Sequence, residues 1–329
     1  MTVAQDAEFP LLNEFQRDFP LVSRPFAEVA ARCGLTEAQA LGAYRAALAD
    51  GVLSRIGVVF APHAVGASTL AAMSVPPSRI DAVAKIVSAQ PEVNHNYERE
   101  HRVNLWFVAT APTREALEAA LARIACESGI EVLALPLVEE YHIDLGFDLA
   151  GRGSPRAPRP ATPAAPLDPA GRRLLSAVEE GFPLEPEPYA ALGRAAGMTE
   201  SEVIAMLEGW LASGVARRVG VVLCHREFGY TANAMAVWDV PDAEVSAVGA
   251  RLARRPEVTL CYRRARRAPA WPYNLYCMIH GRSRKEVNAQ LAALNAEEGL
   301  ARTAHAVLFS RRAFKQRGAR YADNGSDDG

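Results

Sequence analysis

The chain has only five cysteines in 329 residues, and none is placed to build a metal site or a disulfide framework. Cys33, Cys126, Cys224, Cys261 and Cys277 are scattered with no C-x-x-C pair among them, which argues against structural zinc and fits a reducing compartment. No stretch approaches the ~20 uninterrupted apolar residues of a membrane span. The opening MTVAQDAEFP lacks the basic and apolar regions of a secretion signal, so the expected compartment is the cytoplasm. Also missing are a G-x-G-x-x-G strand–helix element, a G-x-x-x-x-G-K-[ST] loop and an H-E-x-x-H pair. Dinucleotide, nucleotide and zinc-protease chemistry therefore lack support. Net charge is nearly absent too, at −2, but the balance is uneven. Residues 1–150 carry 11 Lys and Arg against 19 Asp and Glu, whereas residues 251–329 carry 16 against 7. A basic C-terminal region suggests an anionic partner.

What is present is a repeat. FPLVSRPFAEVAARCGLTEAQ from Phe19 aligns with FPLEPEPYAALGRAAGMTESE from Phe182, and ADGVLSRIGVVF with ASGVARRVGVVL. Arg55 then falls on Arg218 and Gly57 on Gly220. PEVNHNYER from Pro91 meets PEVTLCYRR from Pro256, and after a short insertion in the second copy Asn104-Leu105 meets Asn274-Leu275. The Pro-, Ala- and Gly-rich stretch between the copies reads as a semi-rigid linker over 151–170.

Each copy repeats one order of elements. In the first, helices are expected over Phe9–Phe19, Arg24–Cys33 and Thr36–Asp50, with Gly34 as a C-cap: a helix-turn-helix. A β-rich unit follows: strand within Gly57–Pro76, a helix with Ile80, Val83, Ala84 and Val87 on its apolar stripe, and a hairpin of Val93–Arg102 with Asn104–Thr110. A helix marked by Leu117, Ala120, Leu121 and Ile124 and a last strand over Val132–Ile143 complete it. The fold class is α+β: two repeats, each a helix-turn-helix plus a ferredoxin-like βαββαβ unit. The expected domains are 1–56, 57–150, 171–219 and 220–321, with a disordered tail over 322–329.

DNA reading is disfavoured. Recognition helices need Lys or Arg for phosphates, but TESEVIAMLEGWLASGV carries Glu200, Glu202 and Glu208 and no basic residue. In the first copy Arg45 stands against Glu37 and Asp50, so the helix-turn-helix units read as scaffold. By period-two alternation Val93, His95, Tyr97, Arg99 and His101 share one strand face, either a polar cavity or the solvent side of an edge strand. Val258, Leu260, Tyr262 and Arg264 match them in copy two. Beside these lie Arg263, Arg264, Arg266 and Arg267, followed by Trp271, Tyr273 and Tyr276. Arg forks grip carboxylates and flat aromatics cover a planar ring, although such loops also serve nucleic acid or plain solvation.

The sequence resembles the Lrp/AsnC family, and within it the sirohaem decarboxylase branch of NirD/NirL and AhbA/AhbB proteins. LLNEFQRDFPLVSRPF, SRIGVVFAPHAVGASTLAAM, NHNYEREHRVNLWFV and LPLVEEYHIDLGF carry the NirD likeness. RRVGVVLCHREFGYTANAMAVWDVP, CYRRARRAPAWPYNLYCMIHG and VLFSRRAFKQRGARY carry the NirL likeness. The resemblance covers residues 9 to 321 apart from the linker and implies a fused NirD–NirL arrangement. It implies removal of CO2 from two acetate side chains of sirohaem, giving 12,18-didecarboxysirohaem on the way to haem d1, with no cofactor beyond the substrate's own iron. The partners it implies are sirohaem and didecarboxysirohaem, other haem d1 biosynthesis proteins, no DNA and no membrane. The two copies form an intramolecular pseudo-dimer with one working site, open to homo-oligomerisation.

Loss of CO2 leaves negative charge on an exocyclic carbon that must gain a proton, and His is the side chain poised to give it near neutral pH. His101 is the first candidate proton donor and His95 the second. Substrate-binding candidates are Tyr97, Arg99, Trp106, Arg55, Arg218, Tyr262, Arg263, Arg264, Arg266, Arg267 and Trp271. Arg217 precedes the first strand of copy two and could reach a carboxylate. His142 and Tyr141 close the last strand of copy one, where packing is the favoured role over iron ligation. His63, His225, His280 and His305 have no partner spacing. The basic tail RRAFKQRGARY either docks across the substrate mouth or is solvated. A ligand-sensing regulator and a non-catalytic tetrapyrrole carrier are the competing readings.

Overall fold

The computed structural model describes residues 10–62, 64–143, 167–223 and 232–321. His63, His225, the tail and the linker up to residue 166 lie outside them. Helix α1 runs over residues 10–16 and tightens into a 3-10 turn at Glu14–Gln16. Helices α2 (Pro25–Arg32) and α3 (Glu37–Ala49) follow, joined through Gly34 at φ +68°. A positive φ there admits glycine at no steric cost. Thr36 caps α3 in a reciprocal box with Gln39. The second copy repeats this with α6 (Pro169–Val178), α7 (Pro188–Ala196) and α8 (Glu200–Ser213), the last capped by Thr199 with Glu202. Asp168 caps α6, so helix begins inside the stretch expected as linker.

The two helical units share one core. Phe15, Phe19, Phe26 and Tyr44 of the first copy pack with Phe182, Tyr189, Leu207 and Trp210 of the second. The pseudo-two-fold shows in the backbone: Phe19 N–H donates to the Val219 carbonyl and Phe182 N–H to the Ile56 carbonyl. Strand β1 (Leu53–Phe60) and strand β7 (Ala216–Leu223) cross antiparallel about Gly57 and Gly220 into a two-stranded ribbon. The expected strand over Gly57–Pro76 is thus two strands with different destinations. Its first half joins this ribbon, and its second is β2.

Each αβ unit has the expected order. In copy one it is β2 (Ala67–Met73), α4 (Ile80–Ala89), β3 (Val93–Arg99), β4 (Leu105–Ala111), α5 (Arg114–Ser128) and β5 (Leu133–Leu135). In copy two it is β8 (Ala232–Trp238), α9 (Val245–Leu252), β9 (Val258–Arg264), β10 (Leu275–Gly281), α10 (Arg284–Glu297) and β11 (His305–Gln316). The last strand of each copy reaches across. Strand β11 pairs with β8 through Phe309 and then, from Ser310, with β3 of the other copy. In copy one the expected strand Val132–Ile143 breaks at Pro136: β5 pairs with β2, and β6 (Leu137–Ile143) pairs with β9. Because β5 and β6 are successive segments at opposite ends of the nine-strand order, the sheet closes into a ring. Helices cover its outside over two apolar clusters, and a third cluster fills its interior.

One strand departs from simple alternation. The β3–β4 register slips between Val93 and His95, leaving Val93 against the helices while His95 stands opposite Val108 on the inner side. Val93 therefore leaves the face of His95, Tyr97 and Arg99. A bulge does this by spending one residue without advancing the partner strand.

Candidate active site

Where the ring of strands meets the β1–β7 ribbon lies a cavity of about 1080 Å³. At that rim β3 starts, while β4, β11 and β6 end. His95, Asn94 and Thr110 contribute from copy one's sheet, Glu140 and His142 from β6, and Arg55, Arg217 and Arg218 from the ribbon. The segment after β11 completes the wall with Arg317, Gly318, Ala319 and Tyr321. It is tied down by Arg320 to Glu180, by Tyr321 N–H to the Glu179 carboxylate, and by Thr110 Oγ1 to the Arg320 carbonyl at 2.9 Å. The end of the basic segment RRAFKQRGARY thus lines the cavity.

His95 is deep in this cavity. Burial, reinforced by the Arg55 cation, pushes its imidazole down to about 4, which keeps the ring neutral near pH 7. The Tyr97 hydroxyl lies 3.4 Å from His95 Nδ1 and the two rings stack, so Tyr97 fixes the ring's plane from the barrel interior. Burial likewise raises the Glu140 carboxyl above its ordinary range, against the opposing pull of Arg217 at 2.7 Å. An imidazole and a carboxyl with displaced affinities in one cleft are what proton transfer chemistry requires.

The arginines are unequally committed. Arg218 is buried and donates to the Gln16 and Val221 carbonyls. Arg217 pairs with Glu140, and Arg317 reaches the Pro91 carbonyl. Arg55 makes one long contact, 3.5 Å to the Val58 carbonyl.

The remaining expected site residues stand elsewhere. His101 follows the far end of β3, six residues beyond His95, roughly 20 Å along the strand at ~3.3 Å per residue. There its Nδ1 accepts the Val103 N–H at 3.0 Å and its ring meets Trp271 edge-on at 5.3 Å. His101, the first candidate proton donor, thus lies outside this cavity: a shared strand face does not bring residues to a shared rim. Trp106 donates to the Val103 carbonyl and packs on Trp271, whose Nε1 donates to the Tyr276 hydroxyl at 2.6 Å. This is an aromatic plug, fully buried, with no open face for a ligand. Arg99 and Arg264 point into the ring, over Tyr97 and Tyr262, and donate to the Leu308 and Leu135 carbonyls. Burial lowers Arg99 to about 10.

Arg263 and Arg266 are held by Asp242, and Arg266 also by Asp239 and the Val240 carbonyl. Arg267 is exposed and bridges Trp271 through backbone. Two of the four arginines of this hairpin are therefore engaged internally, because Asp239 and Asp242 fold back on it. Sequence reasoning did not single out Glu140, touched Arg317 only as part of RRAFKQRGARY, and favoured packing over iron ligation for His142. The only signals for them were their places at the ends of the two exchanged strands. Among the described residues, no group of three or more His, Cys, Asp or Glu is arranged to hold a metal ion, and no helix is long and apolar enough to cross a membrane.

Fold and site together define a duplicated helix-turn-helix and αβ protein whose seam encloses a cationic, imidazole-bearing cavity. The family profile described as "Siroheme decarboxylase NirDL-like HTH domain" matches residues 9–53 and 171–217, and "AsnC-like ligand binding domain" matches 64–142 and 227–315. The chain is 46% identical over 319 residues to the "Siroheme decarboxylase NirDL subunit" of Paracoccus denitrificans, covering 97% of this chain and 98% of that protein. It is 32% identical to the "Siroheme decarboxylase" of Hydrogenobacter thermophilus, over 93% and 92%. A crystal structure of the siroheme decarboxylase NirDL in co-complex with an iron-uroporphyrin III analogue aligns at TM-score 0.70 and 28% identity, covering 97% and 94%. The chain belongs to the siroheme decarboxylase NirDL family.

Proposed function

We propose that this chain is a carboxy-lyase that removes CO2 from two acetate side chains of sirohaem, giving 12,18-didecarboxysirohaem for haem d1 biosynthesis. The observation that carries this is a single seam cavity with two imidazoles, His95 and His142, among arginines, in a chain similar end to end to siroheme decarboxylases. Its volume suits one flat macrocycle, and guanidinium groups offset the cost of bringing its carboxylates out of water.

The macrocycle takes up the electron pair left by departing CO2, so the protein need only hold, orient and protonate. Arg55, Arg217 and Arg317 hold non-reacting carboxylates, leaving the scissile one less neutralised so that charge release favours the transition state. His95 delivers the proton to the exocyclic carbon. A polyanion beside it raises its affinity for a proton and cancels the Arg55 field, so a ring that burial keeps neutral becomes an acid with substrate bound. Tyr97 keeps that ring in place from behind. DNA is not a partner in this reading: Glu202 is used in capping α8 and Glu200 accepts from Ser23 of the other copy.

The test is anaerobic incubation of purified protein with sirohaem, following CO2 and the pigment's mass. Successive loss of two CO2 is expected. An unchanged mass with a shifted spectrum would mean a carrier, and salt-dependent retention of duplex DNA a regulator.

A further inference from the structure

Arg55 and Arg218 occupy equivalent positions on β1 and β7, and each reaches the carbonyl three residues on, Val58 at 3.5 Å and Val221 at 3.0 Å. Arg218 has a second carbonyl, that of Gln16, where the end of α1 presses against Gly220. Arg55 has no such second carbonyl contact, and no described carboxylate forms an ion pair with it. Space around Arg55 is kept by glycines from separate segments. A methyl at Gly181, which has φ +103°, would stand 2.9 Å from Arg55 Cβ, and one at Gly318 would stand 3.1 Å from Arg55 Nη1. Gly181 precedes Phe182 in copy two, and Gly318 lies in the segment that follows β11, so the second copy builds the sleeve for the first copy's arginine.

We infer that Arg55 is the specificity-determining clamp for one non-reacting carboxylate of the substrate, aimed by Gly181 and Gly318, while Arg218 is a strut. This rests on the tetrapyrrole reading of the cavity. A guanidinium held in a preformed sleeve loses little freedom on binding, and a buried guanidinium with one long carbonyl contact gains most from a carboxylate fork.

The experiment is Soret titration of the full chain with iron-uroporphyrin, comparing wild type, Arg55→Gln, Arg55→Lys and Gly318→Ala. A charge-assisted bond of this kind is expected to cost roughly ten- to hundredfold in Kd when Arg55 becomes Gln. Arg55→Lys should recover only part, since an ammonium cannot make the fork. Gly318→Ala keeps every charge but crowds the guanidinium, and should weaken binding in the same direction with a melting temperature close to wild type. If wild type binds iron-uroporphyrin and both Arg55→Gln and Gly318→Ala bind as tightly, the clamp is wrong while the cavity reading stands. If wild type itself shows no titration, the cavity reading falls first. Should Arg55→Gln not fold, Gly318→Ala and Arg55→Lys decide alone: unchanged Kd in both overturns the clamp.

Discussion

The two copies enter their second sheet strand through the same Pro-Glu-Val and then part: Asn94 and His95 stand where the second copy has Thr259 and Leu260. His95 and Leu260 face the ring's inner side, opposite Val108 and Met278 respectively. The difference extends around the seam. Arg55 has one long carbonyl contact where Arg218 has two. At the opposite rim the asymmetry reverses: the longer β9–β10 connection of copy two supplies Trp271, which has no counterpart in the tight turn of copy one. Duplication supplies the scaffold twice, and divergence then puts His95 and His142 of the cavity in the first copy and the longer connection with Trp271 in the second. Fusion makes this division safe, because neither copy has to work alone.

The comparison breaks most visibly at His95. His95→Gln should cut the rate of CO2 release about 10²- to 10⁴-fold, the usual worth of general acid catalysis, with iron-uroporphyrin binding retained. A single-turnover assay with sirohaem checks it, and a rate within threefold of wild type would move the acid role to His142 or Glu140. At the other rim, Trp271→Ala removes a fully buried indole from the plug and should cost about 3–5 kcal/mol in denaturant unfolding.

A smaller effect tests the exchanged strands. Tyr141 of β6 lies on α9 where Gly249 leaves no room for a Cβ, whereas α4 of copy one has Ala84 at the matching place. Gly249→Ala should cost about 1–3 kcal/mol through overpacking, and Tyr141→Leu in the same chain should restore part of it. Equal stability of Gly249→Ala and wild type would mean that β6 does not seat on the second copy.

The smallest effect is on pH. His95 has a folded affinity for protons below its ordinary value, so its contribution to stability is present above about pH 6.5 and lost as pH falls toward about 4. His95→Gln should remove this part of the acid-side drop in Tm, roughly 3–6 °C across that window. A Tm profile parallel to wild type would place the ring in water instead of in the cavity.

Much of this architecture was legible in the residues. Thr36 with Gln39 and Thr199 with Glu202 write their capping boxes locally, and Ile80, Val83, Ala84 and Val87 form the buried stripe that their spacing implies. The site was legible only in part. His95, Arg55 and Arg218 come to the cavity, while His101, Trp106, Trp271 and the arginine cluster go to the far rim or the interior. The bulge before His95 and the break at Pro136 are small local events that redirect whole faces, and alternation alone does not register them. Nor does a run of arginines announce that Asp239 and Asp242 lie folded against it.

By itself, then, the sequence determined the duplication, the element order, the apolar faces and the stock of imidazoles and guanidiniums, because each of these depends on neighbours within a few residues. The tertiary structure alone decided which guanidiniums meet a carboxylate, which histidines line the cavity and what each copy contributes to its wall. Those outcomes depend on groups far away in the chain, and only the crossing of β6 and β11 brings them within the few ångströms over which a hydrogen bond or an unscreened charge acts.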